Sequence, residues 1–403
     1  MTAAPALNTY DLTDPATYIG TDVHAMWRRF RSEQPVYWHP ESPRGPGFWA
    51  VCRYADTLAV YRDDERFTSE RGNVLSTLLQ GEDSAAGKML AVTDGRRHQE
   101  IRKLMLKSFS PRLLAHMKES VRDRTRELFD RALQLGAFDL AAEIVDHIPI
   151  NTMGELMDVP RADRARLVEL NTETLGSRHA DQDSFEAVLA RNEILLYFQE
   201  LAEHRRREPG EDVISALANG TVDGEPLSEE EIVLNCYSLI LGGDESSRLS
   251  ATGGVLALSE HPEQWRMLRD GTAPLPGAVE EVLRWTAPAM HFGRRAKVDV
   301  ELGGQLLRAG DIVTLWNISA NFDDAAFPEP ERFDLLRSPN KHLTFGYGPH
   351  FCLGAFLGRA HVEAVLEGLR DRVREIRVAG EGQQIHSNFV YGRITLPVDL
   401  VPR

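Results

Sequence analysis

The amino-acid sequence predicts a mainly α-helical protein with small β-sheets. From about residue 54 to residue 271, apolar residues recur mostly at the spacing of a helix. Strand-like runs of aromatic and β-branched residues are confined to residues 35–52 and 291–319. Pro and Gly interrupt the first of these runs, which indicates a hairpin. The chain contains no internal repeat and no long low-complexity segment.

Composition favours an ordinary folded protein and argues against membrane or nucleic-acid roles. Hydrophobic residues make up 42% and charged residues 27% of the chain, as in typical globular domains. No run approaches the ~18 apolar residues of a membrane span, and the polar, acidic start does not resemble a signal peptide. A net charge of −15 leaves little to offset phosphate repulsion. We therefore expect a cytoplasmic protein without a membrane or nucleic-acid partner.

The three cysteines do not form a recognisable disulfide or zinc pattern. Cys52, Cys236 and Cys352 lie far apart and are odd in number, which indicates a reducing compartment. No CxxC pair is present, so a structural zinc site would lack ligands.

The helical part of the chain divides into several segments of ordinary length. In residues 95–109, apolar residues share one face until Ser110-Pro111 ends the run. Further helices are predicted over residues 112–135, 140–158, 161–176 and 184–208.

A longer helix is predicted to begin at Ser228, which has the capping-box spacing to Glu231. If continuous, it would have about 32 residues and a length of roughly 48 Å. Inside it, Gly242 and Gly243 cost roughly 1 kcal/mol each relative to alanine. Because apolar residues resume after them, we predict a local distortion that makes room for a ligand, rather than the end of the helix.

Residues 345–354 form a glycine-rich segment around a cysteine. A single cysteine is more often a buried apolar filler, but Gly346 and Gly348 permit close approaches that a side chain would prevent. A helical pattern from Leu353 onward places Cys352 at a helix N-terminus, where the dipole and free N–H groups favour the thiolate. Two flanking phenylalanines can shield the sulfur from water.

This segment matches the pattern F-x-x-G-x-x-x-C-x-G at Phe345, Gly348, Cys352 and Gly354. It resembles the haem-binding loop of the cytochrome P450 family, and the likeness extends from about residue 35 to the C-terminus. The chain is similar to soluble bacterial members that tailor secondary metabolites, as in antibiotic biosynthesis. The resemblance implies the P450 fold, with haem b between the long central helix and the helix after the cysteine loop. It also implies that Cys352 is the metal ligand.

The activity implied by this resemblance is that of a monooxygenase. Thiolate ligation favours O–O cleavage, so we expect one oxygen atom from O2 to enter an organic substrate by hydroxylation or epoxidation. Electrons would come from NAD(P)H through a ferredoxin reductase and a ferredoxin. Two alternatives stay open: a peroxygenase or oxidative coupling enzyme of the same fold, and a non-catalytic haem sensor.

The resemblance also assigns basic partners to the two haem propionates. His98 and Arg102 lie one turn apart on a helix and match the family's H-x-x-x-R, while Arg294 follows the E-x-x-R helix. His350 belongs to the cysteine loop, and Arg295 is an alternative to Arg294. Because these positions converge on one cofactor, we predict a single domain over residues 1–403.

A structural triad is implied by the family's E-x-x-R pair and a later arginine. Glu281 and Arg284 fit the pair, and Arg332 fits the partner. The E-x-x-R spacing recurs elsewhere in the chain, so only the order of these residues before the cysteine distinguishes this pair. We expect the triad to hold the cysteine loop rather than to take part in chemistry.

In the long helix, the family places an acid and an alcohol that relay protons during oxygen activation. Glu245 falls on the acid and Ser246 on the alcohol, where threonine is usual. Serine keeps the hydroxyl but loses the methyl group that limits χ1, which puts coupling efficiency in question. Asp244 is a second candidate acid.

Three regions are expected to line the substrate pocket, by the same resemblance: the 72–92 loop, residues 287–292 and residues 388–391, together with Gly242. Their mixed character suggests a functionalised small molecule, either free or tethered to a carrier protein. The pocket candidates from the three regions are Met89, Leu90, Ala289, Met290, His291, Phe292, Phe389 and Tyr391.

A basic stretch over residues 95–112 predicts a docking surface for an acidic ferredoxin. This stretch contains six basic side chains and one acidic side chain, Glu100. The basic residues are Arg96, Arg97, Arg102, Lys103, Lys107 and Arg112.

Overall fold

A computed structural model describes residues 6–174 and 185–403 of the chain. The α-helices in these two ranges are α1 (Val23–Glu33), α2 (Tyr54–Arg62), α3 (Leu75–Leu79), α4 (Gly95–Leu106), α5 (Pro111–Ala132), α6 (His147–Leu156), α7 (Arg161–Thr174), α8 (Phe185–Arg207), α9 (Val213–Asn219), α10 (Glu229–Gly243), α11 (Glu245–Glu260), α12 (Pro262–Arg269), α13 (Leu275–Thr286), α14 (Asn317–Ala320) and α15 (Ala355–Arg372). None of these helices combines the length and apolar character needed to cross a membrane.

The β-strands are short and form small sheets. They are β1 (Val36–His39), β2 (Phe48–Val51), β3 (Phe67–Thr68), β4 (Ala137–Asp139), β5 (Thr221–Val222), β6 (Glu225–Pro226), β7 (His291–Ala296), β8 (Val300–Leu302), β9 (Gln305–Leu307), β10 (Ile312–Trp316), β11 (Val373–Val378) and β12 (Pro397–Pro402). The largest sheet has the order β1-β2-β10-β7-β3, with β10 parallel to β2 and antiparallel to β7. The prediction of a mainly helical fold with small sheets is confirmed.

Most predicted elements appear near their expected positions. The predicted hairpin is the antiparallel β1–β2 pair, in which Tyr37 faces Ala50. The hydroxyl of Ser110 accepts a hydrogen bond from the Leu113 N–H and caps α5. Of the helix predicted over 161–176, positions 175 and 176 lie outside the described residues, as does position 184 of the helix predicted over 184–208.

The segment predicted as one helix over 140–158 contains a π-helical turn at Ala141–Val145, followed by α6. The Asp146 amide donates to the Ala141 carbonyl at 2.9 Å, an i to i−5 bond. Such a turn inserts one extra residue and changes which side chains face the neighbouring helices.

The long central helix is divided at Asp244 into α10 and α11. Its start has the predicted capping box, in which Ser228 and Glu231 satisfy each other's backbone N–H groups. The predicted distortion is present, and close packing explains why a side chain would not fit at one of the two glycines, Gly243. A Cβ at Gly243 would lie 2.6 Å from the Met153 sulfur, whereas a Cβ at Gly242 would contact nothing within 4 Å.

The core brings segments that are far apart in the sequence together around α15. Helix α15 packs against α5, α11 and α13, and its buried residues Val362, Val365 and Leu369 belong to the same apolar cluster as Val255 on α11. At the other end, Leu357 joins a second cluster with Ile101 on α4. The cysteine loop therefore leads into a helix anchored on several sides.

Candidate active site

The cysteine loop has a backbone that requires its glycines. Gly346 and Gly348 have φ values of +66° and +72°, which side-chain-bearing residues rarely adopt. A Cβ at Gly348 would lie 2.4 Å from the Tyr61 carbonyl oxygen. The Cys352 N–H donates to the Phe345 carbonyl at 3.0 Å and closes the loop. A side chain at either glycine would be strained, and at Gly348 it would also clash with the Tyr61 backbone.

Cys352 lies slightly before the helix rather than in its first turn. Helix α15 begins at Ala355 with Gly354 as its N-cap, although the pattern predicted a start at Leu353. Cys352 is exposed as a residue, yet protein atoms crowd its sulfur, and this desolvation raises the thiol pKa above its usual value. The Gly354 N–H and the guanidinium of Arg102 act in the opposite direction, but they do not outweigh it.

Basic side chains from three elements surround the cysteine loop. His98 and Arg102 come from α4, Arg294 comes from β7, and His350 comes from the loop itself. The rings of His98 and His350 are 4.3 Å apart. Burial, together with the positive charges of His350 and Arg102, lowers the His98 pKa to about 4.

Arg294 and Arg295 point to different places. Arg294 is 6% exposed and lies over the Tyr61 ring at 5.6 Å. Arg295 donates to the carbonyl oxygens of Gly81 and Gly310 instead. Of the two alternatives, the structure therefore brings Arg294 to the basic cluster.

Asp94 is a member of this cluster that the motifs did not identify. Its carboxylate accepts hydrogen bonds from the Thr68 hydroxyl and the Ser69 N–H, and it lies 2.8 Å from His350 Nε2. Burial opposes ionisation, but the bonds to His350, Thr68 and Ser69 prevail and hold the Asp94 pKa well below its usual range. A lone Asp before a helix carries no chemical signature, so only the fold reveals it.

The residues around the loop fit a haem. Among the described residues, no carboxylate forms an ion pair with Arg102 or Arg294, and burial lowers the pKa of both side chains. His98 Nε2 is buried and has no hydrogen-bond partner in the described part of the chain. Basic side chains that lack an acidic partner suit the two propionate carboxylates of a haem. The sulfur of Cys352 also lies close enough to Arg102 to affect the pKa of its guanidinium.

The predicted structural triad has a different third member. Glu281 and Arg284 are fully buried and form two hydrogen bonds at 2.8 and 2.9 Å. Arg337 completes the set through Nε at 3.1 Å from Glu281 Oε2. The Arg332 side chain is 58% exposed and pairs with Glu329, so the assignment of Arg332 was wrong. Only its backbone carbonyl contacts Arg284, at 3.4 Å.

The acid and alcohol candidates lie together at the break between α10 and α11. Glu245 is 2% exposed, and neither carboxylate oxygen has a hydrogen-bond partner in the described residues. Burial raises its pKa to about 7, despite the opposing effect of Arg248. The Ser246 hydroxyl donates to the Gly242 carbonyl at 3.2 Å across the break. Asp244 instead turns toward Asn171, at 2.9 Å.

The three predicted substrate regions do meet. The Met290 N–H donates to the Phe389 carbonyl at 2.9 Å, and Ala289 forms an isolated bridge with Val390. Met89 is partly buried, and the N–H of Leu90 is held by Asn235 on α10. The partly buried Phe292 and Tyr391 lie in the same segments, and their rings remain candidates for the pocket wall.

Several of the pocket candidates are buried in the core instead, and Leu90 belongs to the same apolar cluster as Ile101. Met290 is fully buried in a cluster with Trp27 and Trp316. His291 is also fully buried, and its Nε2 accepts the Leu75 N–H at 3.1 Å, which fixes its role as a structural acceptor. Burial lowers the His291 pKa to about 3. The sequence pattern could not distinguish core-facing from pocket-facing residues, because both kinds of position have apolar surroundings.

Comparisons with known proteins agree with this site. The cytochrome P450 family model matches residues 275–369. Cytochrome P450 NovI of Streptomyces niveus is 43% identical over 98% of each chain. Linalool 8-monooxygenase of Pseudomonas putida is 32% identical over 98% of this chain and 99% of its own.

A solved structure extends the likeness to the fold. P450 OxyD, which is involved in the biosynthesis of vancomycin-type antibiotics, superimposes with a TM-score of 0.90 at 35% identity, over 98% of this chain and 100% of its own. The chain therefore belongs to the cytochrome P450 family and is a haem-thiolate monooxygenase of the kind found in bacterial secondary metabolism.

Proposed function

We propose that this enzyme oxygenates a functionalised secondary metabolite, with Cys352 as the haem ligand and Glu245 and Ser246 as the proton relay. The observation that carries the proposal is the set of buried and partly buried basic side chains at the cysteine loop. Among the described residues, two of them, Arg102 and Arg294, form no ion pair with an acid, and His98 Nε2 has no hydrogen-bond partner. We further propose that the whole chain acts as one domain in the cytoplasm, where free thiols such as Cys236 persist.

The residues of the cluster would hold haem b through complementary charges. Arg102, Arg294 and His98 would bind the propionates, and His350 would do so while Asp94 orients its ring. When bound, the haem supplies oxygen activation, which the thiolate of Cys352 promotes by donating electron density to the iron. Phe345, Gly348 and Gly354 would shape the loop around the ligand, and the Glu281–Arg284–Arg337 cluster would keep the preceding segment in place.

Glu245 and Ser246 are suited to move protons inside a pocket that excludes bulk water. Because its pKa lies at about 7, Glu245 can both take up and release a proton near neutral pH. A serine hydroxyl can donate one hydrogen bond while accepting another. The relay distinguishes this enzyme from a haem sensor, which has no need of protons, and the monooxygenase relative disfavours a peroxide-driven alternative.

The substrate is proposed to be a small molecule of secondary metabolism, free or attached to a carrier protein. The relationship to OxyD, a protein of antibiotic biosynthesis, supports this class. Phe389, Phe292 and Met89 are partly buried and would supply apolar pocket walls, and Gly242 is exposed. Pockets of this composition bind apolar bodies that carry a few polar groups.

Electrons are proposed to come from NAD(P)H through a ferredoxin reductase and a ferredoxin that docks beside α4. The predicted basic surface is smaller than the sequence suggested. Arg96 pairs with Asp223 at 2.9 Å and Arg97 pairs with the buried Glu231, so both charges are largely neutralised. The exposed cations that remain are Lys103, Lys107 and Arg112, next to the partly buried Arg102.

A substrate screen tests the proposed function. Purified haem-loaded enzyme would be titrated with free and carrier-bound candidate metabolites, and the spin-state change of the ferric haem would report binding. Compounds that bind would then be incubated with NAD(P)H, a ferredoxin and its reductase. We expect a product that gains one oxygen atom from O2. Turnover supported by peroxide alone, with none by the electron-transfer system, would contradict the proposal.

A further inference from the structure

Three carboxylates converge on one buried guanidinium beside the break in the central helix. Arg248 on α11 is 7% exposed. Its Nε lies 2.9 Å from Asp146 Oδ1, its Nη1 lies 3.4 Å from Asp244 Oδ2, and its Nη2 lies 3.8 Å from Glu245 Oε1. One positive charge therefore faces three acids. Because like charges in a water-poor site disfavour full ionisation, one of the acids is expected to carry a proton near neutral pH.

The hydrogen bonds show which acid this is. Asp244 accepts from the Asn171 amide at 2.9 Å as well as from Arg248. Asp146 has the shortest contact to the guanidinium, and its side chain is 32% exposed. Glu245 has the longest contact, is almost fully buried, and receives no hydrogen bond from any described residue. Glu245 is therefore the acid with least to stabilise its charge.

The position of Asp146 depends on the π-helical turn that precedes it. The Asp146 N–H makes the i to i−5 bond to Ala141, so the extra residue in Ala141–Val145 sets which side of the helix Asp146 faces. With this register, its carboxylate reaches Arg248 while keeping contact with solvent. Turns of this type are frequent at functional sites.

We propose that Asp146 is the solvent-side acid that reloads Glu245 with protons, and that Arg248 is a positioning residue that holds the two carboxyls together. The proposal rests on the proposed function, in which Glu245 delivers protons. In each cycle, an O–H bond on Asp146 breaks and one forms on Glu245, and Asp146 then takes a new proton from solvent. No oxidant or other reactant is needed. Because the three acids raise the Arg248 pKa, despite its burial, the guanidinium keeps its own protons.

The test measures the protonation of Glu245 directly in haem-loaded enzyme. Infrared difference spectra recorded from acid to alkaline pH would contain a buried carboxylic-acid band, assigned by its loss in Glu245→Gln. In the wild type we expect this band to titrate at about pH 7. Asp146→Asn removes a negative charge that disfavours ionisation of Glu245. It also leaves more of the positive charge of Arg248 uncompensated, so that this charge acts more strongly on Glu245. Both changes favour the carboxylate, so the midpoint should fall by about one pH unit.

Two variants control for local charge and for shape. Glu143→Gln removes an exposed acid from the same π-helical turn and should leave the midpoint unchanged, because Glu143 is not among the charges that shift the Glu245 pKa. Asp146→Glu keeps the acid and should retain the wild-type midpoint and the wild-type rate of hydrogen–deuterium exchange of the band. Asp146→Asn should slow that exchange several-fold. A midpoint and exchange rate in Asp146→Asn equal to those of Glu143→Gln would overturn the proposal.

This outcome can be separated from a failure of the proposed function. If Glu245→Gln kept the wild-type turnover rate and pH dependence, the role of Glu245 in oxygen activation would fall, and with it the purpose of the reloading path. If Glu245→Gln lost turnover while Asp146→Asn left the infrared band unchanged, the relay would stand and the assignment of Asp146 would be wrong.

Discussion

His350 Nε2 lies 2.8 Å from the carboxylate of Asp94, and this contact joins the cysteine loop to the residue that precedes α4. The same carboxylate also holds the Thr68 hydroxyl and the Ser69 N–H. One acid thus fixes the positions of two segments and the orientation of a ring in the basic cluster. Among the described residues, no carboxylate forms an ion pair with Arg102 or Arg294, so Asp94 organises the cluster without neutralising its arginines.

We predict that Asp94→Asn destabilises the folded protein by about 1–3 kcal/mol at neutral pH, because charge-assisted hydrogen bonds would be lost. The Asp94 pKa in the folded state lies below its usual 3.8. Its stabilisation is therefore fully present above that value and is lost as the pH falls toward the folded-state pKa. Urea unfolding at neutral pH and at acid pH would check this. An equally large difference between the variant and the wild type in acid would contradict it.

Cys352→Ala should abolish the red-shifted absorption of the ferrous carbonyl complex that indicates thiolate ligation. The other cysteines cannot replace the lost sulfur, since Cys52 and Cys236 are buried elsewhere and burial raises both thiol pKa values far above the usual one. Cys236→Ala is the matched control and should keep the band. A red-shifted band that survived in Cys352→Ala would show that another group ligates the iron.

Arg337→Gln should cost about 3–5 kcal/mol of unfolding free energy, because it leaves the charge of the fully buried Glu281 with one cation fewer. Arg332→Gln should cost less than about 1 kcal/mol, since an exposed ion pair contributes little. Denaturant unfolding of both variants under the same conditions makes the comparison. The reverse order would restore Arg332 to the role that the motif suggested.

These differences show what the sequence could and could not predict. The capping box at Ser228 and the loop around Cys352 depend on residues within ten positions of each other, and both were predicted. Arg337 and Arg332 are five residues apart in an irregular segment, where no periodicity indicates which side chain turns inward. The contact of Asp146 with Arg248 depends on a π-helical turn that has no sequence signature.

Charge counts along the chain have the same limit. Counted along the sequence alone, residues 95–112 are strongly basic. Asp223 and Glu231, which neutralise Arg96 and Arg97, come from segments far away in sequence. A linear count cannot include partners that only folding brings into contact.

We predict that Lys103→Gln with Lys107→Gln slows reduction by ferredoxin about tenfold at low salt, because these exposed cations would steer an acidic partner. The effect should shrink as ionic strength rises. Arg96→Gln removes the same type of charge from a position already paired with Asp223 and should change the rate little. Stopped-flow reduction measured over a range of salt concentrations distinguishes the variants. Equal rates for all of them at low salt would exclude docking beside α4.

The final prediction concerns how efficiently electrons reach product. Ser246→Ala should bind haem and substrate normally but release more hydrogen peroxide per NAD(P)H, because it removes the hydroxyl that lies across the helix break from Gly242. Ser246→Thr should keep or improve coupling, since its methyl group restricts χ1 and the hydroxyl remains. The measurements are product formed, NAD(P)H consumed and peroxide released, each counted separately.

Glu245→Gln should mainly slow turnover, because it preserves the shape of the side chain and removes its ionisable proton. The wild-type rate should depend on pH with a midpoint near 7, the pKa to which burial raises Glu245, and the rate should fall as the pH rises because the protonated carboxyl is the donor. In Glu245→Gln this dependence should disappear. If both Ser246→Ala and Glu245→Gln kept the wild-type ratio of product to NAD(P)H and the wild-type pH profile, protons would reach the site by another route. A peroxide-driven reaction, which brings its own protons, would then become the better account of the serine at this position.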